Sequence, residues 1–226
     1  MRKLALNRIL ISALLLSGLA FAQTPPVLPI EQEHRIVFEN SNVRIYHALL
    51  SRDESTHFHL HAVDNVVVTL NDGKGVNELL GKAPVEFSAA AGAVSFSKAP
   101  YTHRIGNAGS SPLHFVSVEV KAETPNGGIA SNLDHFPGYK VLLENERVKV
   151  YRVSLEPAQS TGMRPRTLPW VSVAVSKNVA SIEQTGRSLA RLESEPGDHQ
   201  WHGGVTAEAI ENIGLSKYES IEIELK

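Results

Sequence analysis

The feature that most limits the fold of this chain is a repeat of its own sequence. The segment 39–46, ENSNVRIY, recurs over 144–151 as ENERVKVY, at an offset of 105 positions. The same offset holds without a gap to the end of the chain, where Lys121 matches Lys226, and 18 of the aligned positions are identical. A register this long without an insertion indicates one structural unit used twice.

Each copy has the sequence pattern of short β-strands. Apolar and polar residues alternate over 43–49 and 113–120, which is the period of a half-buried strand. A Val-rich run over 64–70 is followed by Asn-Asp-Gly, a common hairpin-turn sequence. No segment after residue 22 keeps a helical period. We therefore predict an all-β protein made of two tandem small antiparallel β-barrels related by internal duplication.

The repeat also sets the predicted organisation of the chain. The stretch between the two copies contains Thr-Pro-Asn-Gly-Gly and Phe-Pro-Gly, a composition typical of a linker. The predicted parts are a signal peptide over 1–22, an N-terminal lead over 23–33, a first barrel over 34–121, a linker over 122–138 and a second barrel over 139–226.

The first 22 residues have the pattern of an export signal. Arg2, Lys3 and Arg8 precede an apolar run over 9–19, and Ala-Phe-Ala ends the segment at Ala22. The apolar run is too short to span the roughly 30 Å of a bilayer core comfortably, so we expect cleavage and no membrane attachment afterwards. Cleavage removes three cations and no acids, which takes the formal charge from −2 to −5. We expect a periplasmic or secreted protein.

Composition narrows the chemistry that this chain can perform. The sequence contains no cysteine, which excludes disulfides, thiolate metal ligands and cysteine nucleophiles. The absence of a basic block argues against nucleic acid as a partner. Ten histidines remain as the candidate metal ligands.

Three of these histidines alternate in one predicted strand of the first copy. His57, His59 and His61 fall at every second position, where side chains point to the same face of a strand. A fourth, His103, lies well downstream on another predicted strand. Neutral imidazole is a ligand for Fe, Zn, Mn, Ni and Cu, so we expect one divalent transition-metal ion of unspecified identity.

These residues resemble the two motifs of the cupin superfamily. An HxH pair and a later glycine match the first motif, and a glycine, a proline, a histidine and an asparagine four positions further on match the second. The matching residues are His59, His61, Gly73, Gly92, Pro100, His103 and Asn107. The resemblance implies a jelly-roll barrel (a double-stranded β-helix) with a metal held inside by His59, His61 and His103. Together with the duplication, it implies a bicupin.

The first copy departs from the cupin pattern at its acidic ligand. The family places an acid four or five residues after the second histidine, where this chain has Asn65 and Val66. The nearest carboxylate, Asp64, lies one position early and is a candidate fourth ligand if the turn is rearranged. We expect a three-histidine site completed by water, and we leave His57 open as a proton carrier near the metal or a cap on the barrel mouth.

The second copy departs more strongly, because the three ligand positions become Arg164, Arg166 and Glu208. A guanidinium group is permanently protonated and has no free lone pair for a metal. We therefore expect the second barrel to bind no metal and to contain a buried ion cluster. An alternative is that the two arginines receive a carboxylate ligand.

Two classes of function are compatible with these features. One is a metal-dependent oxygenase acting on a small organic molecule, and the other is a non-catalytic periplasmic protein that binds a small ligand or a metal. For either class we expect an apolar cavity lined by Phe58, Val66, Val68, Phe96 and Ile105. Edge-strand pairing leaves both a homodimer and a pseudo-two-fold monomer open.

Overall fold

The structure is a computed structural model that describes residues 27–30, 34–121 and 130–226. The predicted signal peptide over 1–22 lies outside these ranges. Within the described ranges, no helix is long and apolar enough to cross a membrane.

The first copy folds into two facing five-stranded sheets. Their strands are β1 (Val27–Leu28), β2 (Arg35–Glu39), β3 (Val43–Leu50), β4 (Phe58–His61), β5 (Asp64–Thr69), β6 (Gly73–Leu79), β7 (Val85–Ala89), β8 (Val94–Ser97), β9 (Tyr101–Asn107) and β10 (Leu113–Val120). One sheet has the order β1-β4-β9-β6-β7 and the other has the order β2-β3-β10-β5-β8. The pairs are antiparallel except β1 with β4, which is parallel.

The second copy repeats this arrangement. Its strands are β11 (Tyr139–Glu144), β12 (Val148–Leu155), β13 (Arg164–Arg166), β14 (Trp170–Ala174), β15 (Asn178–Gln184), β16 (Ala190–Ser194), β17 (His199–His202), β18 (Thr206–Asn212) and β19 (Tyr218–Leu225). They form the sheets β11-β12-β19-β14-β17 and β13-β18-β15-β16. The predicted fold class, two tandem jelly-roll β-barrels, is confirmed.

The 105-residue offset of the sequence holds in three dimensions. Strands β3 and β10 start and end 105 positions before β12 and β19. Asn107 donates its amide hydrogens to the carbonyl oxygens of Leu50 and Ser111, and Asn212 makes the equivalent bonds in the second copy. These asparagines therefore fix a loop of each barrel and belong to the fold.

The two barrels share one apolar core. Alternate residues of β3, β5 and β10 face the matching residues of β12, β14 and β19, and the side chains that meet are almost all Val, Ile or Leu. The fully buried members include Val43, Ile45, Val118, Val150 and Ile223. This continuous contact between two sheets makes the pair of barrels one packed unit.

The interiors of the barrels differ from each other. The first barrel has a small apolar core around Leu50, Leu113 and Phe115, whereas the second packs a larger one around Tyr139 and Tyr151, among others. A cavity of about 610 Å³ occupies the first barrel. The second barrel has cavities of about 310 Å³ and 320 Å³ lined by residues at matching positions, so its interior is open as well, in smaller separate spaces.

The predicted lining of that cavity is only partly right. Of the five predicted residues, Ile105 alone lines it, and Val66, Val68 and Phe96 belong to the core between the barrels. The alternation along β5 does not distinguish the two faces of this strand, because both are apolar. Val67, the neighbour of Val66 and Val68, faces the cavity instead.

Residues 130–138, the described part of the predicted linker, pack against the second barrel. Leu133 is buried in its interior core, and Ser131 hydrogen-bonds to the Glu224 carboxylate through its backbone N–H at 2.9 Å and its hydroxyl at 2.5 Å. The same offset relates this segment to 25–33, of which residues 27–30 are described and include β1, paired with β4.

The shared core predicts that its loss destabilises the whole molecule. Ile223→Ala removes a fully buried side chain between the sheets and should lower the free energy of unfolding by about 2–5 kcal/mol. Urea unfolding followed by circular dichroism measures this change. Leu215→Ala, at a fully exposed position, is the control and should change stability by less than about 0.5 kcal/mol. Equal unfolding midpoints for the two variants would contradict a shared core.

Candidate metal centre

The pairing of β4 with β9 brings the three predicted ligands together. These strands are antiparallel with His59 opposite His103 and His61 opposite Tyr101, so the three imidazoles project into the barrel. Their ring centroids are 4.6–5.1 Å apart, and Nε2 of His61 lies 3.2 Å from Nε2 of His103. His59 and His61 are fully buried. The structure therefore places all three rings around one point.

The outer nitrogen of each ring is held by an oxygen atom. His59 Nδ1 lies 3.0 Å from the carbonyl oxygen of His57, and His103 Nδ1 lies 2.7 Å from Oδ1 of Asn77. His61 Nδ1 lies 3.3 Å from the Glu119 carboxylate. A carbonyl oxygen can only accept a hydrogen bond, so Nδ1 carries the proton in the rings of His59 and His103, whereas His61 Nδ1 also lies 3.3 Å from the Tyr46 hydroxyl, which can donate to it. In the rings of His59 and His103 the lone pair is then on Nε2, which points inward.

This arrangement places two ring nitrogens opposite one another. The Nε2 atoms of His61 and His103 face each other across 3.2 Å. Two nitrogens bound to one tetrahedral ion at about 2.1 Å lie about 3.4 Å apart, close to the observed separation. The donor set therefore fits a shared divalent cation.

Burial favours the neutral form of His103. The pKa of His103 is lowered to about 2, first by burial and then by the neighbouring imidazoles of His59, His61 and His34. A neutral ring retains the lone pair that a metal needs, whereas a protonated ring does not.

A fourth imidazole, from His34, completes the group. Nε2 of His34 lies 3.2 Å from Nε2 of His59, and its ring stacks on Tyr46 with centroids 4.8 Å apart. His34, His59 and His61 each offer a ligand atom within 4.8 Å of the others. The sequence analysis missed His34 because no spacing links it to the HxH motif. His34 directly precedes β2, and the pairing of β2 with β3 places it beside Tyr46.

Two further sequence predictions for this site are wrong. The carboxylate of Asp64, the candidate fourth ligand, accepts hydrogen bonds from Arg147 Nε at 3.1 Å and from the backbone N–H of Ala99 at 2.8 Å. It therefore links the two barrels. The His57 side chain is exposed, because the regular strand begins only at Phe58, so it neither faces the metal point nor lines the cavity. Its contribution is the carbonyl oxygen that orients His59.

The position of the family's acid is taken by the amide of Asn65. This side chain is buried and donates to the hydroxyl oxygens of Tyr46 at 3.2 Å and Tyr101 at 3.4 Å, while its own Oδ1 has no hydrogen-bond partner. Tyr101 also stacks on His61 with centroids 4.5 Å apart. The surroundings of the imidazoles are thus aromatic and neutral, apart from Glu119.

The imidazole group adjoins the cavity of the first barrel. His103, Asn77 and Tyr101 form its inner end, and the remaining wall is mostly apolar, with Phe87 and Phe115 among its residues. Burial raises the pKa of Tyr101, so its hydroxyl stays protonated and can donate a hydrogen bond. A small, largely apolar molecule in this cavity would meet the imidazole group at His103.

The second barrel holds a network of charges at the equivalent place. Arg164 Nη2 lies 2.9 Å from Glu208 Oε1 and 3.4 Å from Glu222 Oε1, and Arg166 also pairs with Glu222. All four side chains are almost fully buried. Sequence reasoning found Arg164, Arg166 and Glu208 but missed Glu222, which matches Ser117 in the first copy.

This network balances its charges without a metal. It contains two cations and two carboxylates, and the hydroxyl of Tyr139 contacts both arginines. Trp170 takes the position of Asn65, with its ring 4.6 Å from the Arg166 guanidinium. The two guanidinium groups stand where the first barrel has His59 and His61, and they offer no lone pair. Nε and Nη1 of Arg166 are buried without a hydrogen-bond partner, so the alternative of a carboxylate ligand stays a prediction.

Comparison with known proteins supports the fold. No protein-family model and no curated protein matches the sequence. Among solved structures, AerE from Microcystis aeruginosa has a TM-score of 0.64 at 11% identity and covers 85% of this chain and 97% of its own. A variant of oxalate decarboxylase from Bacillus subtilis gives 0.64 at 12% identity, covering 84% of this chain and 71% of its own.

A third neighbour is the salicylate 1,2-dioxygenase from Pseudoaminobacter salicylatoxidans, solved as adducts with gentisate. Its TM-score is 0.61 at 12% identity, and the match covers 88% of this chain and 75% of the enzyme. A cupin 2 conserved barrel domain protein from Leptotrichia buccalis matches with a TM-score of 0.53. At these identities the likeness concerns the fold alone. The chain has the two-barrel fold of cupin proteins.

Because the charge network of the second barrel is buried, breaking one of its ion pairs should lower the free energy of unfolding strongly. Glu222→Gln leaves Arg164 and Arg166 with one carboxylate between them and should cost about 3–5 kcal/mol of unfolding free energy. The control is Glu193→Gln, which removes an exposed pair with Arg191 and should cost less than about 1 kcal/mol. Denaturant unfolding measures both. A Glu222→Gln protein as stable as the control would show that the network carries no stability.

Proposed function

We propose that this protein is an exported, metal-dependent oxygenase of the bicupin type that acts on a small organic molecule. Its N-terminal barrel holds one divalent transition-metal ion through Nε2 of His59, His61 and His103, with His34 as a fourth imidazole. The C-terminal barrel binds no metal and supports the first through the shared core.

One observation carries this proposal more than any other. The Nε2 atoms of His61 and His103 lie 3.2 Å apart inside the barrel, and polar groups on the far side of each ring hold its direction. This spacing is close to the separation of two nitrogens bound to one tetrahedral ion. Four nitrogen donors and no thiolate suit Fe, Zn, Mn, Ni or Cu.

The bound ion would supply polarisation of a substrate oxygen or activation of dioxygen. The residues of this chain provide the rest. Asn77 and the carbonyl of His57 fix the tautomers of His103 and His59, and Glu119 and the Tyr46 hydroxyl hold the direction of the His61 ring. The apolar wall beside His103 excludes water and binds an apolar body, while the Tyr101 hydroxyl donates a hydrogen bond to a polar group of the ligand.

Two further findings support a small organic substrate and an exported protein. The cavity of about 610 Å³ has the size of a site for a small molecule. Structural neighbours include a dioxygenase named for salicylate and a decarboxylase named for oxalate, both small organic acids. Export rests on the charged and apolar pattern of residues 1–22.

The ligand assignment predicts a change in metal content. Protein purified without added metal should retain one tightly bound transition-metal ion in the first barrel, and His59→Ala/His61→Ala should lose it, because two of the inward Nε2 donors are gone. Elemental analysis by mass spectrometry measures this. The matched control is Arg164→Ala/Arg166→Ala at the equivalent positions of the second barrel, which should keep the ion if it folds. Equal metal content in the wild-type and histidine-variant proteins would refute the assignment.

The oxygenase reaction predicts oxygen consumption. Iron-loaded protein should take up dioxygen when supplied with a catechol or flavonol from a panel, and His103→Ala should abolish the uptake, because it removes the imidazole that adjoins both cavity and metal point. An oxygen electrode measures the rate. Glu78→Gln, next to Asn77 but paired with Arg104 on the outer side of the strand, is the control and should keep the rate.

A second candidate function is favoured by one feature of the cavity. No carboxylate is found among the described residues that line it, so acid–base chemistry there would depend on Tyr101 and His103. This composition suits a protein that holds a ligand without breaking a bond. Tight binding of a panel compound to the iron-loaded protein without oxygen uptake would establish this function in place of the first.

A further inference from the structure

A second group of imidazoles lies where the two barrels meet. Along β3, the residues that face the other barrel are Val43, Ile45 and then His47, and along β10 the same face ends at His114. The opposing sheet contributes His199 at the start of β17. These three histidines therefore stand at the edge of the shared core, one step beyond its last apolar side chains.

The spacing of these rings resembles that of the barrel group. His47 Nδ1 lies 2.9 Å from His114 Nε2, with ring centroids 5.1 Å apart. The His199 ring lies 5.9 Å from that of His47. In the first barrel, the rings of the three predicted ligands are 4.6–5.1 Å apart. His199 stands farther from His47 than the barrel rings stand from one another, and its Nδ1 lies 3.4 Å from the carbonyl oxygen of Gly197.

The three rings are open to solvent. All three histidines are partly exposed, so solvent reaches them. Gly197 sits directly against the His47 ring, where a Cβ atom would come within 3.0 Å of Cε1, so the backbone of the second barrel approaches His47 closely. The approach holds His199 next to a residue of the other barrel.

The pseudo-symmetric edge of the interface has different chemistry. The 105-residue offset relates His47 to Arg152 and His114 to Glu219, whose side chains form an ion pair at 3.9 Å. At the edge with Arg152 and Glu219, opposite charges link the strands. At the edge with His47 and His114, imidazoles link them. The asymmetry supplies a matched control within the same chain.

We propose that His47, His114 and His199 form a second metal site, which binds a late divalent transition-metal ion such as Zn²⁺ and bridges the two barrels. Three imidazole nitrogens with water as the fourth ligand suit Zn²⁺. The site is more exposed than the one in the barrel, and we expect it to bind more weakly. It shares no residue with the barrel site, so metal binding at each of the two sites can be tested independently of the other.

Zinc titration of the full chain after removal of metal by a chelator tests this proposal, with a chromophoric zinc indicator as competitor. The wild-type protein should bind two equivalents of Zn²⁺, His59→Ala/His61→Ala should keep only the interface ion, and His47→Ala/His114→Ala should keep only the barrel ion. His199→Ala should weaken the interface ion at least about tenfold. Arg152→Ala, at the other edge, should leave both.

Thermal unfolding distinguishes the loss of a zinc site from a variant that folds poorly. In the His59→Ala/His61→Ala background, Zn²⁺ should raise the melting temperature by linkage, and adding the milder His114→Gln substitution should abolish that shift. The proposal is overturned if the His59→Ala/His61→Ala protein binds no Zn²⁺, or if His47→Ala/His114→Ala binds as many ions as the wild type.

Discussion

The close approach of imidazole nitrogens inside the first barrel is the constraint on which the rest of this account depends. Nε2 of His61 and Nε2 of His103 lie 3.2 Å apart, and polar groups on the far sides of the rings hold the rings in place. Burial lowers the pKa of His103, so this ring keeps a lone pair for a metal. A cation between the two nitrogens would bind both rings, and the open cavity beside His103 leaves room for a ligand at the same place.

The second barrel also has polar side chains in its interior, but they are charged groups that pair with one another. Arg164 and Arg166 replace the two motif histidines, and Glu208 and Glu222 neutralise them. The two interiors have thus diverged in chemistry, while the sheet faces between the barrels have stayed apolar in both copies. Both barrels contribute side chains to the shared core, so a polar substitution on either sheet face would disturb both barrels. The interior of one barrel can change more freely, because the other barrel retains the imidazole group.

Part of this structure follows from sequence, and part depends on contacts between distant segments. Period-two alternation and the 105-residue offset predict the two barrels, and the HxH spacing predicts that His59 and His61 share a face, because strand geometry is local. The ligand role of His103 follows from the resemblance to the cupin motifs, and His34 could not be found from spacing, since the pairing of β2 with β3 places it beside Tyr46. Asp64 is drawn away by Arg147 of the other barrel, and the faces of β5 could not be told apart because both are buried and apolar.

Anomalous diffraction from crystals of the purified protein, recorded at the absorption edge of the metal identified in it, tests the central claim most directly. The account predicts an anomalous peak inside the N-terminal barrel, within bonding distance of the Nε2 atoms of three converging imidazoles. A barrel with no peak there, whose rings instead turn their Nε2 atoms toward hydrogen-bond donors of the protein, would contradict it.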